Sequence, residues 1–247
     1  GFAAANTTTL TFKASEIAGT ADAYRINFNA DSATGFDAKT VVIDGIETVT
    51  VNSIGKTGAT NAITLEDKDA KSLVITGDKD LTLAFGAQFG ATGADATNGK
   101  GVATIDASAS TAGIIINDLT AASNLKVAYA GLTIKGGAGD DTIDASGNIL
   151  KANVATLTIN SGAGNDKIEL DDMTAASTLT KADIKVNAGA GDDTIKVGVP
   201  GGTFTLGNGK DIIDVSKAAV EVGKINVADG AIKTTITDIE KGDVIKG

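Results

Sequence analysis

The sequence predicts an all-β fold, a right-handed parallel β-solenoid or β-roll, and three observations carry that expectation. Short runs of Thr, Val and Ile alternate with polar residues and end at Gly, Asn or Asp, as in TVVIDGIETVTV (40–51), KSLVITG (71–77), LTLAF (81–85) and ATLTIN (155–160). That two-residue period belongs to strands. Aromatic residues are only 4% of the 247-residue chain, so rings cannot fill a conventional globular core and stacked β-branched side chains suit it better. Finally, a nine-residue shape, GGAGDDTID (136–144), returns as SGAGNDKIE from Ser161, AGAGDDTIK from Ala188 and LGNGKDIID from Leu206. Repetition of one small unit is the signature of a solenoid.

Aligning the four loops aligns their flanks. Leu132, Leu157 and Ile184 form one column, and Ile134, Ile159, Val186 and Phe204 the next. Beyond the loop come Ile143, Ile168, Ile195 and Ile213, then Ala145, Leu170, Val197 and Val215. Neighbouring columns on one strand lie two residues apart, so all these side chains share a face. One unit cannot bury that face alone; stacked units can. The loops start 25, 27 and 18 residues apart, so the turns are expected to differ in length. LTAASNL (119–125) also returns as MTAASTL (173–179), and TIDAS (104–108) returns at 142–146.

Along the chain, strand signals dominate and helical periodicity is weak; ASEIAGTADAY (14–24) and LTAASNL are candidates for single helical turns. Two regions are expected, a strand-rich segment over 1–95 and a loop-bearing β-roll over 96–247. NGKGVATIDAS (98–108) aligns with the loop pattern but carries Ala103 where the aspartate should be, and reads as a metal-free turn. Asp78 and Asp80 in GDKDLTL, and the pair Asp171 and Asp172, read as solvated turns.

The shared pattern is Gly-x-Gly-x-Asp-x-Ile. A plain turn explains the glycines, which allow positive φ, but does not require Asp at one fixed place in all four copies. A hard-cation site does. Glycines let backbone carbonyls converge, the aspartate adds a carboxylate, and Ca²⁺ takes six to eight such oxygens. One loop offers too few ligands, whereas two stacked loops make a cage. The candidate ligand residues are Gly136, Gly137, Gly139, Asp140 and Asp141 in the first loop, and Gly162, Gly164, Asn165 and Asp166 in the second. Gly189, Gly191, Asp192 and Asp193 follow in the third, and Gly207, Gly209 and Asp211 in the fourth. Four loops enclose three gaps, hence at least three Ca²⁺.

These segments resemble the RTX nonapeptide, GGxGxD followed by an aliphatic residue, which binds Ca²⁺ in β-rolls. Gly136–Asp144 matches it in full; the other copies replace the first glycine with Ser161, Ala188 and Leu206. A wider resemblance rests on GIETVTV (45–51), ITLEDKDAKSLVITGDKDLTL (63–83), ATIDASAS (103–110) and TTITDIEKGDVI (234–245). Together with the loops, these segments are similar to type I-secreted surface-layer (S-layer) proteins of Gram-negative bacteria. That resemblance spans roughly residues 40–247. It implies a secreted, structural, calcium-dependent protein that self-assembles into a two-dimensional lattice on the cell surface. Lipopolysaccharide would then be the partner of a region outside this chain.

Composition narrows the alternatives. With 31 acidic against 21 basic residues and a net charge of −10, the chain would repel nucleic acid and anionic membranes. No apolar run approaches the ~18–20 residues of a membrane span. The chain does not begin with Met and has no signal peptide, so it reads as a processed or excised piece with its export signals elsewhere. The absence of Cys and His removes thiolate, Ser-His and zinc-hydrolase chemistry. Carboxylates repeated four times in equivalent loops do not suit a single active site. The expectation is no enzyme. Two structural readings remain, an S-layer segment and a calcium-binding RTX module of a secreted adhesin.

Overall fold

A computed structural model of the chain describes residues 7–90, 101–117, 125, 127, 131–145, 156–170, 183–198, 202–214, 234–237 and 243–246. Its strands form two parallel sheets. One sheet contains β1 (Thr8–Thr9), β3 (Asp37–Val42), β5 (Thr60–Asp67), β7 (Asp80–Phe89) and β9 (Ile114–Ile116), then β11 (Thr142–Asp144), β13 (Lys167–Leu170), β15 (Thr194–Val197), β17 (Ile212–Asp214) and β19 (Val244–Lys246), in that order. The other contains β2 (Ala23–Ala30), β4 (Thr48–Gly55), β6 (Ser72–Gly77), β8 (Thr104–Ser110) and β10 (Leu132–Lys135), then β12 (Thr156–Ala163), β14 (Asp183–Ala190), β16 (Gly202–Thr205) and β18 (Thr234–Thr237). Odd strands pair only with odd, even with even, so each turn of chain adds one strand to each sheet.

The registers reproduce the predicted columns. Leu132 pairs with Leu157 and Leu157 with Ile184; Ile134, Ile159, Val186 and Phe204 follow one another across β10, β12, β14 and β16. In the facing sheet Ile143, Ile168, Ile195 and Ile213 stack in the same way. Leu170 pairs with Val197, while Val215 lies outside the described residues. All the described column members are at most 3% exposed. Each buried aliphatic contributes about 1.5–3 kcal/mol over its exposed state, and turn-on-turn stacking supplies that burial throughout. The core is continuous from Ile26 to Ile213.

The N-terminal turns follow the same plan with longer strands in the odd sheet. There β5 has eight residues and β7 ten, against three or four in β11, β13, β15 and β17, whereas in the even sheet β12 and β14 match β2 and β4 at eight. Leu10, Phe12, Ile17 and Tyr24 pack on this end of the core, with the Phe12 and Tyr24 rings edge to face at 5.1 Å. Of the two expected helical turns, Ala14–Glu16 is a single 3₁₀ turn; residues 118–124 lie outside the described set. The expected division at 95/96 also falls outside it, yet the ladders on either side meet directly, β6 on β8 and β7 on β9.

One alignment is corrected. Ile105 pairs with Ile134 and not with Ile143, so the strand in NGKGVATIDAS lies in the even sheet and enters it rather than leaving a Gly-Asp loop. The two TIDAS copies therefore belong to opposite sheets. A five-residue identity is too short to outweigh the register imposed by neighbouring turns.

Candidate metal-binding edge

Every Gly-Asp loop joins an even strand to the following odd one, so all four lie along a single edge. Gly162 pairs with Gly189 across adjacent turns. Both have positive φ, 113° and 104°, and a side chain at Gly162 would collide with the Gly137 carbonyl. Glycine is required there by backbone stacked on backbone. The first loop position is different. Ser161, Ala188 and Leu206 are fully buried and pair with the interior, which explains why this glycine is dispensable; the Ser161 hydroxyl donates to the Ala188 carbonyl at 2.7 Å.

The loop aspartate stands two residues before the buried isoleucine of its odd strand, so strand alternation turns its side chain inward too. Asp141, Asp166, Asp193 and Asp211 are at most 2% exposed. Each seats one carboxylate oxygen on the preceding turn. Asp141 Oδ1 accepts from the Ile114 N–H at 2.7 Å, Asp166 Oδ1 from Asp141 at 2.8 Å, Asp193 Oδ1 from Asp166 at 2.8 Å and Asp211 Oδ1 from Asp193 at 2.8 Å. An inner ladder of carboxylates and amides thus runs along the edge.

A second ladder runs outside it in the opposite sense. Asp140 Oδ1 accepts from the Asn165 N–H at 2.7 Å, Asn165 Oδ1 from Asp192 at 2.8 Å, and Asp192 Oδ1 from Lys210 at 2.9 Å. These side chains are exposed. Each of the first three loops is therefore pinned to the turn before it from inside and to the turn after it from outside.

The inner carboxylates are electrostatically costly. Burial pushes Asp141 up to about 7, against the Ile114 and Gly137 amides that hold it down. Burial likewise pushes Asp193 up to about 7, with the Asp166, Asp211 and Asp192 charges adding to the rise, and it raises Asp166. Asp141 Oδ2 accepts from the Gly137 N–H at 2.8 Å. Among the described residues the Oδ2 atoms of Asp166 and Asp193 are buried without a hydrogen-bond partner; the Ser161 hydroxyl, near enough to Asp166 to hold it down somewhat, is donated to the Ala188 carbonyl. A carboxylate oxygen in that position is stable only with a proton or a cation beside it.

The donor set suits a hard cation: carboxylates, one amide oxygen and stacked glycine carbonyls, with no sulfur or imidazole. Among the described residues no three acidic groups cluster closely enough to hold a metal by themselves. An ion on this edge would have to draw on backbone carbonyls as well as the aspartates.

Three residues of this edge lack the Gly-x-Gly-x-Asp spacing and escaped the sequence reading. Asp243 extends the inner ladder, accepting from the Asp211 N–H at 2.8 Å; its signal was the Asp-x-Ile of Asp243-Val244-Ile245. Asn61 occupies the same inner column three turns before Asp141, because Asn61 pairs with Leu81, Leu81 with Ile114, and Ile115 with Thr142, the neighbour of Asp141. Its Oδ1 accepts from the Phe36 N–H at 3.0 Å, and its Nδ2 donates to Ser53 Oγ at 2.9 Å and the Ile54 carbonyl at 3.2 Å. Ser53 is its buried partner. Asp80, directly before Leu81 of the column, accepts from the Gly113 N–H of the next turn at 3.0 Å, as Asp140 does from Asn165, and Asp78 pairs with Lys79; Asp171 and Asp172 lie outside the described residues.

Fold and edge together define a class, a parallel two-sheet solenoid with a buried carboxylate ladder along one edge. No protein-family model, curated protein or solved structure matches the chain.

Proposed function

We propose that the chain is a structural segment of a bacterial surface layer, a right-handed solenoid whose Gly-Asp edge takes up Ca²⁺ and which then assembles with copies of itself. Right-handed winding follows from the parallel crossovers, which take that hand in about 98% of cases. The observation that carries the reading is the inner ladder Asp141–Asp166–Asp193–Asp211, with buried Oδ2 atoms on Asp166 and Asp193 that have no hydrogen-bond partner among the described residues. Asp141, Asp166, Asp193 and Asp211 would supply carboxylates, and the loop glycines would supply carbonyls. Bound Ca²⁺ would supply the positive charge that these oxygens lack. The protein's own contribution is to hold them in register, one turn apart.

The absence of His and Cys from the sequence and the fourfold equivalence of the loops favour a scaffold over a catalyst. The resemblance to type I-secreted S-layer proteins selects the extracellular cell surface as its place and self-association as its task. Circular dichroism and light scattering against Ca²⁺ test both steps. Chelator should remove β-structure that Ca²⁺, and not equal Mg²⁺, restores at about 10⁻⁴–10⁻³ M; scattering should then rise as sheets form at higher Ca²⁺. An unchanged spectrum refutes the calcium reading. A folded protein that stays monomeric at millimolar Ca²⁺ and high concentration selects the adhesin module instead.

A further inference from the structure

We propose that the N-terminal turns, β2 to β7, are a metal-independent template, built around Asn61 and Ser53, against which the carboxylate-bearing turns order when Ca²⁺ binds. This deepens the calcium reading and rests on it.

The inner column of the edge changes chemistry along its length. Its members are Asn61, Leu81 and Ile114 in the N-terminal turns and Asp141, Asp166, Asp193 and Asp211 afterwards. Asn61 and Asp166 do the same first job, each accepting an N–H from the preceding turn through Oδ1. They differ in the second polar atom. Asn61 Nδ2 meets two acceptors, Ser53 Oγ and the Ile54 carbonyl. Asp166 Oδ2 meets no donor. One corner is complete with protein atoms alone, and the other needs something added.

The rest of the region agrees with that division except at Asp67, whose buried Oδ2 also has no hydrogen-bond partner among the described residues. Strand β2 keeps eight paired residues on β4, and β5 keeps a long ladder with β7. Phe28, Phe89, Ile43, Ile63 and Leu65 fill the core of these turns. At the junction both sheets continue, β8 onto β10 and β9 onto β11, and the Ile114 N–H of β9 is donated to Asp141 Oδ1. The first carboxylate therefore has a preformed donor waiting, so ordering has a defined starting end.

Hydrogen exchange on the full chain, read by mass spectrometry at pH 8 with Ca²⁺ and with chelator, tests this. In chelator, amides of Ala23–Phe89 should exchange at least about a hundredfold more slowly than those of Leu132–Asp214, and Ca²⁺ should close the gap. If chelator exposes both regions equally, the template is refuted and the calcium reading survives. If neither region responds to chelator, both fall. Asn61→Asp gives the second arm. Its new oxygen would face Ser53 and the Ile54 carbonyl, and protection of β4 and β5 should drop at least about tenfold. Unchanged protection in that variant overturns the role given to Asn61.

Discussion

Asn61 and Asp166 occupy the same inner column of the same edge and differ by one atom, an NH₂ in place of an oxygen. That exchange separates a corner that closes by itself from one that leaves a buried acceptor open. Isolated buried charge costs far more than a buried amide whose donors and acceptors are paired. Among the described residues the self-closing solution is at Asn61, near the N-terminal end, and the open acceptor is at two successive inner turns, Asp166 and Asp193. A repeated cost of that kind makes the C-terminal turns conditional, and it makes the condition cooperative because each carboxylate shares an amide ladder with the next.

The most direct way to break the comparison is at Asp166. Asp166→Ala strips the acceptor from the buried Asp141 N–H and should cost about 3 kcal/mol in chelator and more as Ca²⁺ rises, since a ligand is lost as well. Asp166→Asn keeps Oδ1 and removes the charge, so it should stabilise the protein in chelator at pH 8 and lose most of the stabilisation that Ca²⁺ gives. Calorimetric melts of both variants with and without Ca²⁺ decide it. An asparagine variant that remains as calcium-responsive as the parent would place the ion elsewhere.

The N-terminal half has one exception to its self-sufficiency, and it supplies a pH test. Asp67 at the end of β5 is fully buried and its Oδ2 has no hydrogen-bond partner. Burial, with the Asp69 and Asp44 charges adding, raises it from the ordinary 3.8 to about 7, while the Asp69 and Ile46 amides oppose the rise. Lys68 beside it is held by Asp44 at 3.0 Å. Because the folded-state value lies above the unfolded one, the native state binds the extra proton between about pH 4 and 7. Stability of this half is therefore highest below pH 4 with respect to this group and falls as pH rises through 7. Asp67→Asn should flatten that slope and raise stability at pH 8 by on the order of 2 kcal/mol. Melting temperatures at pH 5 and pH 8 in chelator check it; an unaltered slope in the variant refutes the assignment.

A smaller effect sharpens the role of Ser53. Ser53→Ala removes one acceptor from Asn61 Nδ2 and leaves the Ile54 carbonyl in place, so the loss should be about 1 kcal/mol, seen in urea midpoints and insensitive to Ca²⁺. A calcium-dependent loss would mean that the two halves of the edge are not chemically distinct.

How much of this was legible beforehand follows from what repeats. Ile143, Ile168, Ile195 and Ile213 could be aligned because each follows a glycine loop at fixed distance, and the inward aspartates came with them through strand alternation. The inward turn of those carboxylates onto backbone amides was not legible, since spacing reports which residues are neighbours and not which hydrogen bonds they choose. Asn61 had no pattern around it: its corner is built from Ser53 and Ile54, which precede it by eight and seven residues across an ordinary loop. The placement of 98–108 failed because turns here vary in length, so a local match slips between sheets unless both neighbours hold it.

Asp243 was missed for a related reason, with Gly242 directly before it and no Gly-x spacing, and it sets the smallest expected effect. Taken from the loop pattern alone, Asp211 is the last carboxylate, and its removal should cost less than that of an inner one. The ladder instead continues, with Asp243 Oδ1 accepting from the Asp211 N–H, so Asp211 has a carboxylate on either side as Asp166 does. Asp211→Ala should then cost about as much as Asp166→Ala. Asp243→Ala should cost only about 1 kcal/mol, because it removes one hydrogen bond at a partly exposed position and leaves no cavity in the core. Melting temperatures of the three variants at one fixed Ca²⁺ concentration give the order directly. If Asp211→Ala proves as mild as Asp243→Ala, the inner ladder ends functionally at Asp193, and the bond to Asp243 adds nothing to the cooperativity of the edge.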